Sequence, residues 1–258
     1  MTENNAQSAE CLSRLTAELD TGIAMNLMLG DCLERMKEIP DGSVDMVLAD
    51  PPYGTTACKW DSVIPLEPMW EQLKRIIKPN GAIVLFASQP FTSILITSNI
   101  KMFKYSWVWD KVRGSNFFAA KFQPLNNSED IVVFSTGGCN NGTSNPVPYY
   151  PQGIKSCEKG NKYGGGKVGK AHGAIEKEYI QKTTGYPFKI IKFSYEKSTI
   201  HPTQKPVALM EYLIKTYTQE GETVLDFVMG SGTTGLAAKN LNRNFIGIEK
   251  DAGYFEIA

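Results

Sequence analysis

Apolar positions along the chain alternate between short continuous runs and stretches with helical spacing. Residues 25–29 form an apolar run that predicts a strand, with Gly30-Asp31 as the following turn and a helix over 32–39 closed by Pro40-Asp-Gly42. A second apolar run predicts a buried strand over 45–49. Trp70, Leu73, Ile76 and Ile77 recur at helical spacing within 68–78, where Pro79-Asn-Gly81 supplies a stop. Strands are predicted over 82–87, 105–110 and 131–135, a helix over 91–97, and a short amphipathic helix over 6–19. Further on, Val207, Leu209, Leu213, Ile214 and Tyr217 give a helix over 205–219 a broad apolar face. A strand over 223–226, a helix opening within Met229-Gly-Ser-Gly-Thr-Thr-Gly235 and running through 241, and a strand over 244–249 complete the pattern. Strands alternating with helices predict a doubly wound α/β fold, its mostly parallel sheet covered on both faces.

Residues 137–199 interrupt that rhythm. Glycine and proline clusters such as Gly137-Gly-Cys-Asn-Asn-Gly142 and Lys162-Tyr-Gly-Gly-Gly-Lys167 remove any periodicity, and the stretch is too long for an ordinary connection. It divides the chain into 21–136, the 137–199 insertion, and 200–258. Between 151 and 198 there are ten Lys and four Glu, a local excess of six positive charges hidden by a formal net charge of zero. Such an excess suits a face that contacts phosphates.

Composition narrows the class. With 258 residues, 42% hydrophobic and 21% charged, the chain has the makeup of an ordinary globular protein. Five cysteines without CxxC spacing fit a reducing compartment, and two histidines, His172 and His201, do not supply a metal site. No run approaches the roughly 20 apolar residues of a membrane helix, and the acidic N-terminus has no signal-peptide core. A cytoplasmic protein with no metal and no membrane partner is expected.

Two turns carry the chemistry. Asp50-Pro51-Pro52-Tyr53 follows the strand over 45–49, so its carboxylate emerges at a strand's C-terminal end, where open α/β sheets bind ligands. The prolines fix φ and remove two backbone donors. Rigid acceptors beside a flat ring suit a planar amine gripped at its edge and stacked on its face. The second turn, with Gly230 and Gly232 between a strand and a helix, follows the nucleotide-site pattern, and Glu249 ends the next strand at the height of ribose hydroxyls. No Lys follows the glycines, which excludes a phosphate-binding P-loop; Gly235 formally completes a dinucleotide fingerprint. Asp226 before the turn and Thr233-Thr234 after it fit an amine-bearing cation, such as S-adenosylmethionine, better than a pyrophosphate.

In combination these motifs resemble the amino-group DNA methyltransferases, in the class whose target-base motif precedes its cofactor motif. Asp50-Pro-Pro-Tyr53 matches the family's catalytic signature, Asp226-Phe-Val-Met-Gly-Ser-Gly-Thr-Thr234 its cofactor turn, and His201-Pro-Thr-Gln-Lys-Pro206 its helix-opening motif. Gly30-Asp31-Cys32 is similar to the turn that receives the cofactor's adenine, and Trp109-Asp-Lys111 to a motif lining the base site. The resemblance covers 25–136 and 200–255, with the insertion where the family keeps its target-recognition region. It implies a Rossmann-like S-adenosylmethionine methyltransferase sheet with permuted motif order. It implies Asp50, Pro51, Pro52 and Tyr53 as catalytic residues. For the cofactor it implies Asp31, Cys32, Asp50, His201, Thr203, Lys205, Asp226, Phe227, Met229, Gly230, Ser231, Gly232, Thr233, Thr234, Glu249 and Lys250. Expected partners are duplex DNA and, as an open alternative to a monomer, a second copy of the chain, in a bacterial or phage-type restriction-modification setting. Phe227-Val228 departs from the family's Pro-Phe, so the aromatic near the cofactor is shifted or missing.

The resulting expectation is methylation of adenine N6 in DNA. Alternatives are methylation of cytosine N4 by the same chemistry, of a protein side-chain amide, or a cofactor-binding module without activity. Asp at position 50 favours adenine, since the cytosine branch more often has Ser there, and the Lys-rich insertion favours DNA over protein. If the insertion contacts phosphates, replacing Lys162, Lys167 and Lys170 with Ala weakens DNA binding on every sequence. It also flattens the slope of log affinity against log salt by up to about 3. A salt titration checks this, and an unchanged slope would move DNA recognition elsewhere on the chain.

Overall fold

A computed structural model describes residues 22–55, 62–157, 162–163, 179–180, 182–195 and 204–258. The helix expected over 6–19, and His201 and Thr203, lie outside the described residues. No described helix is long and apolar enough to cross a membrane. The described residues fall into two compact units, one within 22–150 and 190–258 and one within 151–189.

The first unit is built on an eight-stranded sheet. In chain order its elements are β1 (Met25–Leu29), α1 (Cys32–Arg35), β2 (Val44–Ala49), α2 (Leu66–Ile76), β3 (Ile77–Ala87), α3 (Phe91–Ser98), β4 (Phe103–Ser115) and β5 (Asn126–Phe134). In the second unit β6 (Lys155–Ser156) pairs with β9 (Thr183–Thr184), and β7 (Lys162–Tyr163) with β8 (Tyr179–Ile180), both antiparallel. The chain then re-enters the sheet as β10 (Ile190–Lys192), followed by α4 (Val207–Tyr217), β11 (Thr223–Asp226), α5 (Thr233–Asn240), β12 (Asn244–Glu249) and α6 (Ala252–Ile257).

Strand order is β1-β12-β11-β2-β3-β5-β4-β10, and β5 alone runs against the rest. The expected doubly wound, mostly parallel sheet is therefore present. β2 is buried along its whole length because both faces are covered. Val47 and Ala49 point into a core shared with Leu73 of α2 and Leu95 of α3. Met46 and Leu48 point to the opposite core, with Leu209 and Leu213 of α4 and Ala237 of α5. Asp45 holds three strands in register: its Oδ1 lies 2.5 Å from Lys78 Nζ, and its Oδ2 accepts from Thr223 N at 2.9 Å.

Three boundaries depart from the periodicity. Helix α2 ends at Ile76, and β3 begins at Ile77, ahead of Pro79-Asn-Gly81 rather than after it. Val44 pairs with Ile77 and Met46 with Ala82, so the Pro-Asn-Gly segment bulges out of a continuing strand. The helix expected over 32–39 is α-helical only to Arg35 and finishes as a 3-10 turn at Met36–Glu38. Strands β4 and β5 extend well past their expected lengths as one antiparallel hairpin, since the outer part is not buried and lacks the apolar run that marks a core strand.

A polar contact inside the second core gives a stability test. Tyr217 is fully buried; its hydroxyl accepts from Trp107 Nε1 at 2.7 Å and lies 3.0 Å from the Tyr105 hydroxyl. Tyr217→Phe leaves the indole N–H without its acceptor and costs about 1–3 kcal/mol. Urea unfolding measures this, and a loss well below that range would show that the pair contributes little.

Candidate active site

Asp50 follows β2 at the C-terminal edge of the sheet, and its carboxylate engages both its oxygens. Tyr53 OH donates to Oδ1 at 2.5 Å, and Lys205 Nζ donates to Oδ2 at 2.6 Å. The turn itself supplies the first contact, because two prolines bring residue 53 back over residue 50. Tyr53 is also stacked on Phe91 of α3, with ring centroids 5.4 Å apart and planes 24° from parallel. Burial first, and then the charges of Asp50 and Glu129, push the Tyr53 phenol well above its ordinary value, so it remains a donor.

Lys205 is buried and belongs to a chain of alternating charges. Its Nζ lies 3.1 Å from Glu129 Oε2, and Glu129 Oε1 lies 2.5 Å from Lys111 Nζ. The Lys205 approach to Oε2 is an ion contact without hydrogen-bond geometry, which leaves that oxygen without a hydrogen-bond donor. Burial drives the Glu129 carboxyl upward, but the Lys205 and Lys111 ammoniums outweigh it and hold the group below the usual carboxylate range. Burial likewise opposes the charge on Lys205, and Asp50 and Glu129 more than restore it, so its pKa is raised. Nζ also sits 5.0 Å from the centroid of Phe86 and 5.9 Å from that of Trp109. Trp109 is buried, with its indole N–H donating to Phe193 O at 2.8 Å, and Tyr195 packs on it at 5.1 Å.

The glycine turn occupies the same sheet edge. Strands β11 and β2 are parallel neighbours with Leu225 opposite Val47, which puts Asp226 level with Leu48, two residues before Asp50. Gly230 and Gly232 take φ of +54° and +81°, values that L side chains rarely adopt. A Cβ on Gly230 would meet nothing within 4 Å, so this backbone faces open space, and Gly232 is the N-cap of α5. Gly230 N donates to Glu249 Oε2 at 2.9 Å, and Glu249 Oε1 accepts from Asp251 N at 2.7 Å. Gly30 N donates to Glu249 O at 2.8 Å, Asp31 caps α1 through Leu33 N, and Lys250 Nζ lies 3.2 Å from Asp31 Oδ2. Glu249, Lys250, Asp31 and Gly230 therefore meet at one place. Cys32, beside Asp31, has its thiol pushed up to about 11, by burial first and Asp31 second.

Asp226 is buried, and both of its donors are neutral: Thr234 Oγ1 at 2.5 Å and Val228 N at 3.1 Å. Burial raises its carboxyl to about 7; the two hydrogen bonds pull it down, while Asp50 and Glu249 add to the rise. A buried acid with only neutral donors, beside a glycine turn open to solvent, fits a ligand that carries positive charge. Met229 is buried, Ser231 is partly exposed, and Thr233 starts α5. Phe227 goes into the core at 1% exposure, and Val228 takes the position where the resembled family has its aromatic ring.

The sites expected from sequence thus fall into two clusters, and Lys205 joins the Asp50 cluster rather than the glycine turn. Sequence reasoning did not connect Lys205 with Asp50, nor Phe91 with Tyr53. Glu129 and Lys111, charged residues adjoining the apolar parts of β5 and β4, were the available signal for the ion chain. Among the described residues no group of His, Cys, Asp and Glu could hold a metal.

A mostly parallel α/β sheet that carries the Asp50 turn and a glycine turn on one edge has the architecture of the Rossmann-like methyltransferases. A family model described as DNA methylase matches residues 44–258, and the chain belongs to this N6/N4 DNA methylase family. It is 30% identical over 252 residues to the type II methyltransferase M.BglII of Bacillus subtilis, across 89% of this chain and 66% of that protein. The crystal structure of an M1.HpyAVI–SAM complex is similar at 29% identity with a TM-score of 0.59, covering 91% of this chain and 98% of that one. The cytosine-N4-specific PvuII DNA methyltransferase, at 17% identity and a TM-score of 0.62, shares the fold over 91% of this chain and 84% of its own.

Ionisation of Asp226 gives the pH test. Its folded-state pKa of about 7 lies above the unfolded value of about 3.9. The folded chain therefore holds the extra proton between those values, and this group's contribution to stability is lost as pH rises through about 7. Asp226→Asn has no proton to lose. Relative to the unaltered chain its stability should rise between about pH 4 and 7 and level off above. Urea unfolding across that range checks it; a constant offset would refute it.

Proposed function

We propose that this chain transfers a methyl group from S-adenosylmethionine to the N6 amine of adenine in duplex DNA. The observation that carries this reading is the pairing on one sheet edge of the Asp50 turn with the Asp226 glycine turn, set on neighbouring strands. Family membership supports an amino-group methyltransferase, and Asp at position 50 favours adenine over cytosine.

In this reading Glu249 takes ribose hydroxyls, the open space at Gly230 lets the cofactor approach the Gly230-Ser231-Gly232 backbone closely, and Asp226 meets the cofactor's positive charge. Asp31, Cys32 and Lys250 stand at the adjoining turn for the adenine end. His201, Thr203, Phe227, Met229, Thr233 and Thr234 complete the proposed cofactor set. Bound there, S-adenosylmethionine supplies a methyl group on a cationic sulfur, an electrophile for a nitrogen lone pair.

The chain's own contribution is to the amine. An exocyclic amine is a weak nucleophile because its lone pair is delocalised into the ring. Asp50 counters this by accepting an amine hydrogen, which favours a pyramidal nitrogen. A carboxylate has about four acceptor sites, so the donors from Tyr53 and Lys205 leave capacity for the base. The Pro51 carbonyl offers a second acceptor, Pro52 fixes the turn, and the Tyr53 ring offers a face to a base taken out of the duplex. Holding both reactants in place supplies much of the rate.

Asp50→Ala should lower methyl transfer by at least about a hundredfold while changing S-adenosylmethionine affinity only slightly, because the carboxylate acts on the amine. Calorimetry and labelled-methyl transfer separate the two effects, and lost cofactor binding would overturn this division. Mass spectrometry of nucleosides from treated DNA should give N6-methyladenine. N4-methylcytosine as product would transfer the same mechanism to the other base.

A further inference from the structure

The β4–β5 hairpin carries three phenyl rings that the protein does not bury. Phe118 is 102% exposed, Phe122 89% and Phe117 62%. Burying a phenylalanine stabilises a fold, so three rings left in water on one tip call for a partner. The tip is an ordered turn. Asn116 is left-handed, Phe117–Ala119 forms a 3-10 turn, and Ala119 O accepts from Phe122 N at 2.8 Å and Gln123 N at 3.0 Å. The rings are thus held outward by local backbone bonds.

Charge and position identify that partner. From Val112 to Ser128 the sequence has no acidic residue, while Arg113 and Lys121 are both exposed. The hairpin's root lies in the active site, for Lys111 of β4 and Glu129 of β5 are the outer pair of the ion chain that ends on Asp50. Val108 and Ala87 both pair with Asp130, and beyond a bulge Ser115 pairs with Asn126, so the paired hairpin continues past the sheet edge over the β5 segment from Asp130 to Asn126. That is a reach of roughly 13 Å before the tip begins, greater than the groove depth of about 8 Å in B-DNA.

We propose that this hairpin is a wedge that enters duplex DNA beside the target base, with Phe118 and Phe122 filling the space the base vacates and Arg113 and Lys121 on flanking phosphates. The inference rests on the reading of the chain as a DNA methyltransferase. Apolar side chains that enter a base stack compensate for the lost stacking, and the ion chain at the root ties wedge and Asp50 into one body.

The test uses the full chain and a Phe118→Ser/Phe122→Ser variant, whose substitutions lie on exposed positions. Two DNA duplexes contain the site that the unaltered chain methylates. In one the target base is paired; in the other it faces an abasic position and is already unpaired. Methylation by the unaltered chain on either duplex tests the underlying reading, and the ratio between duplexes tests the wedge. On the paired duplex the variant should lose at least about tenfold in kcat/KM, since the pair must first be opened, and on the abasic duplex it should come within about twofold of the unaltered chain. Equal losses on both duplexes, or none on either, would overturn the proposal. So would a dimer-to-monomer change in sedimentation with the ratio unaltered, which would make the tip a contact between copies.

Discussion

Four charges drawn from distant parts of the chain, Asp50, Lys205, Glu129 and Lys111, alternate in sign through contacts of 2.6, 3.1 and 2.5 Å. Taking such groups out of water costs several kcal/mol per ion, recovered only when each has a close partner of opposite sign. The sequence of two acids and two bases is neutral as a set, and no smaller part of it satisfies Lys205 and Glu129 together. Its members lie after β2, before α4, and on β4 and β5, so it constrains the turn, the start of α4 and the hairpin at once. Burial here serves position more than stability. An apolar replacement of the whole set could hold the elements together, but it would leave no carboxylate beside Tyr53.

Sheet order explains why this cluster lies beside the glycine turn. The chain builds β2 early and β11 late, yet pairs them directly, with β12 and β1 beyond. Two carboxylates thereby reach one edge on adjacent strands with different surroundings. Asp50 has an ammonium at 2.6 Å, whereas Asp226 has a hydroxyl and an amide. The position that still lacks a positive charge is therefore Asp226, on the glycine-turn side. The position with a fixed cation is Asp50, where a neutral amine has no need to supply one.

Much of this was legible in the sequence because it is local. The strand ends, the Asp50-Pro-Pro-Tyr53 turn and the Gly230–Gly232 turn each depend on a few consecutive residues whose φ preferences or apolar runs decide the outcome. What depended on tertiary pairing was not legible. Pro79-Asn-Gly81 has the composition of a stop, but strand β2 pairs on both sides of it, and the segment bulges instead of ending the element. Lys205 stands in a motif that resemblance assigns to the cofactor, while its partner is 155 residues away. The outer hairpin has few apolar residues at strand period, and the cross-strand bonds that hold it leave no mark in a single segment.

Tyr53 links the local and the distant parts. The prolines set where its ring leaves the backbone, and the 2.5 Å bond to Asp50 sets how far it swings. Phe91, from an element 38 residues on, covers one ring face. A ring fixed at its hydroxyl and on one face leaves at most its other face for a ligand, beside the carboxylate that would grip the ligand's edge. Stacking and edge recognition are then two consequences of one side-chain position. Because the same hydroxyl donates to Asp50, the ring cannot turn away without also loosening the acceptor. On the proposed reading, the geometry that would admit a flat base and the geometry that would prepare its amine are coupled through a single hydrogen bond.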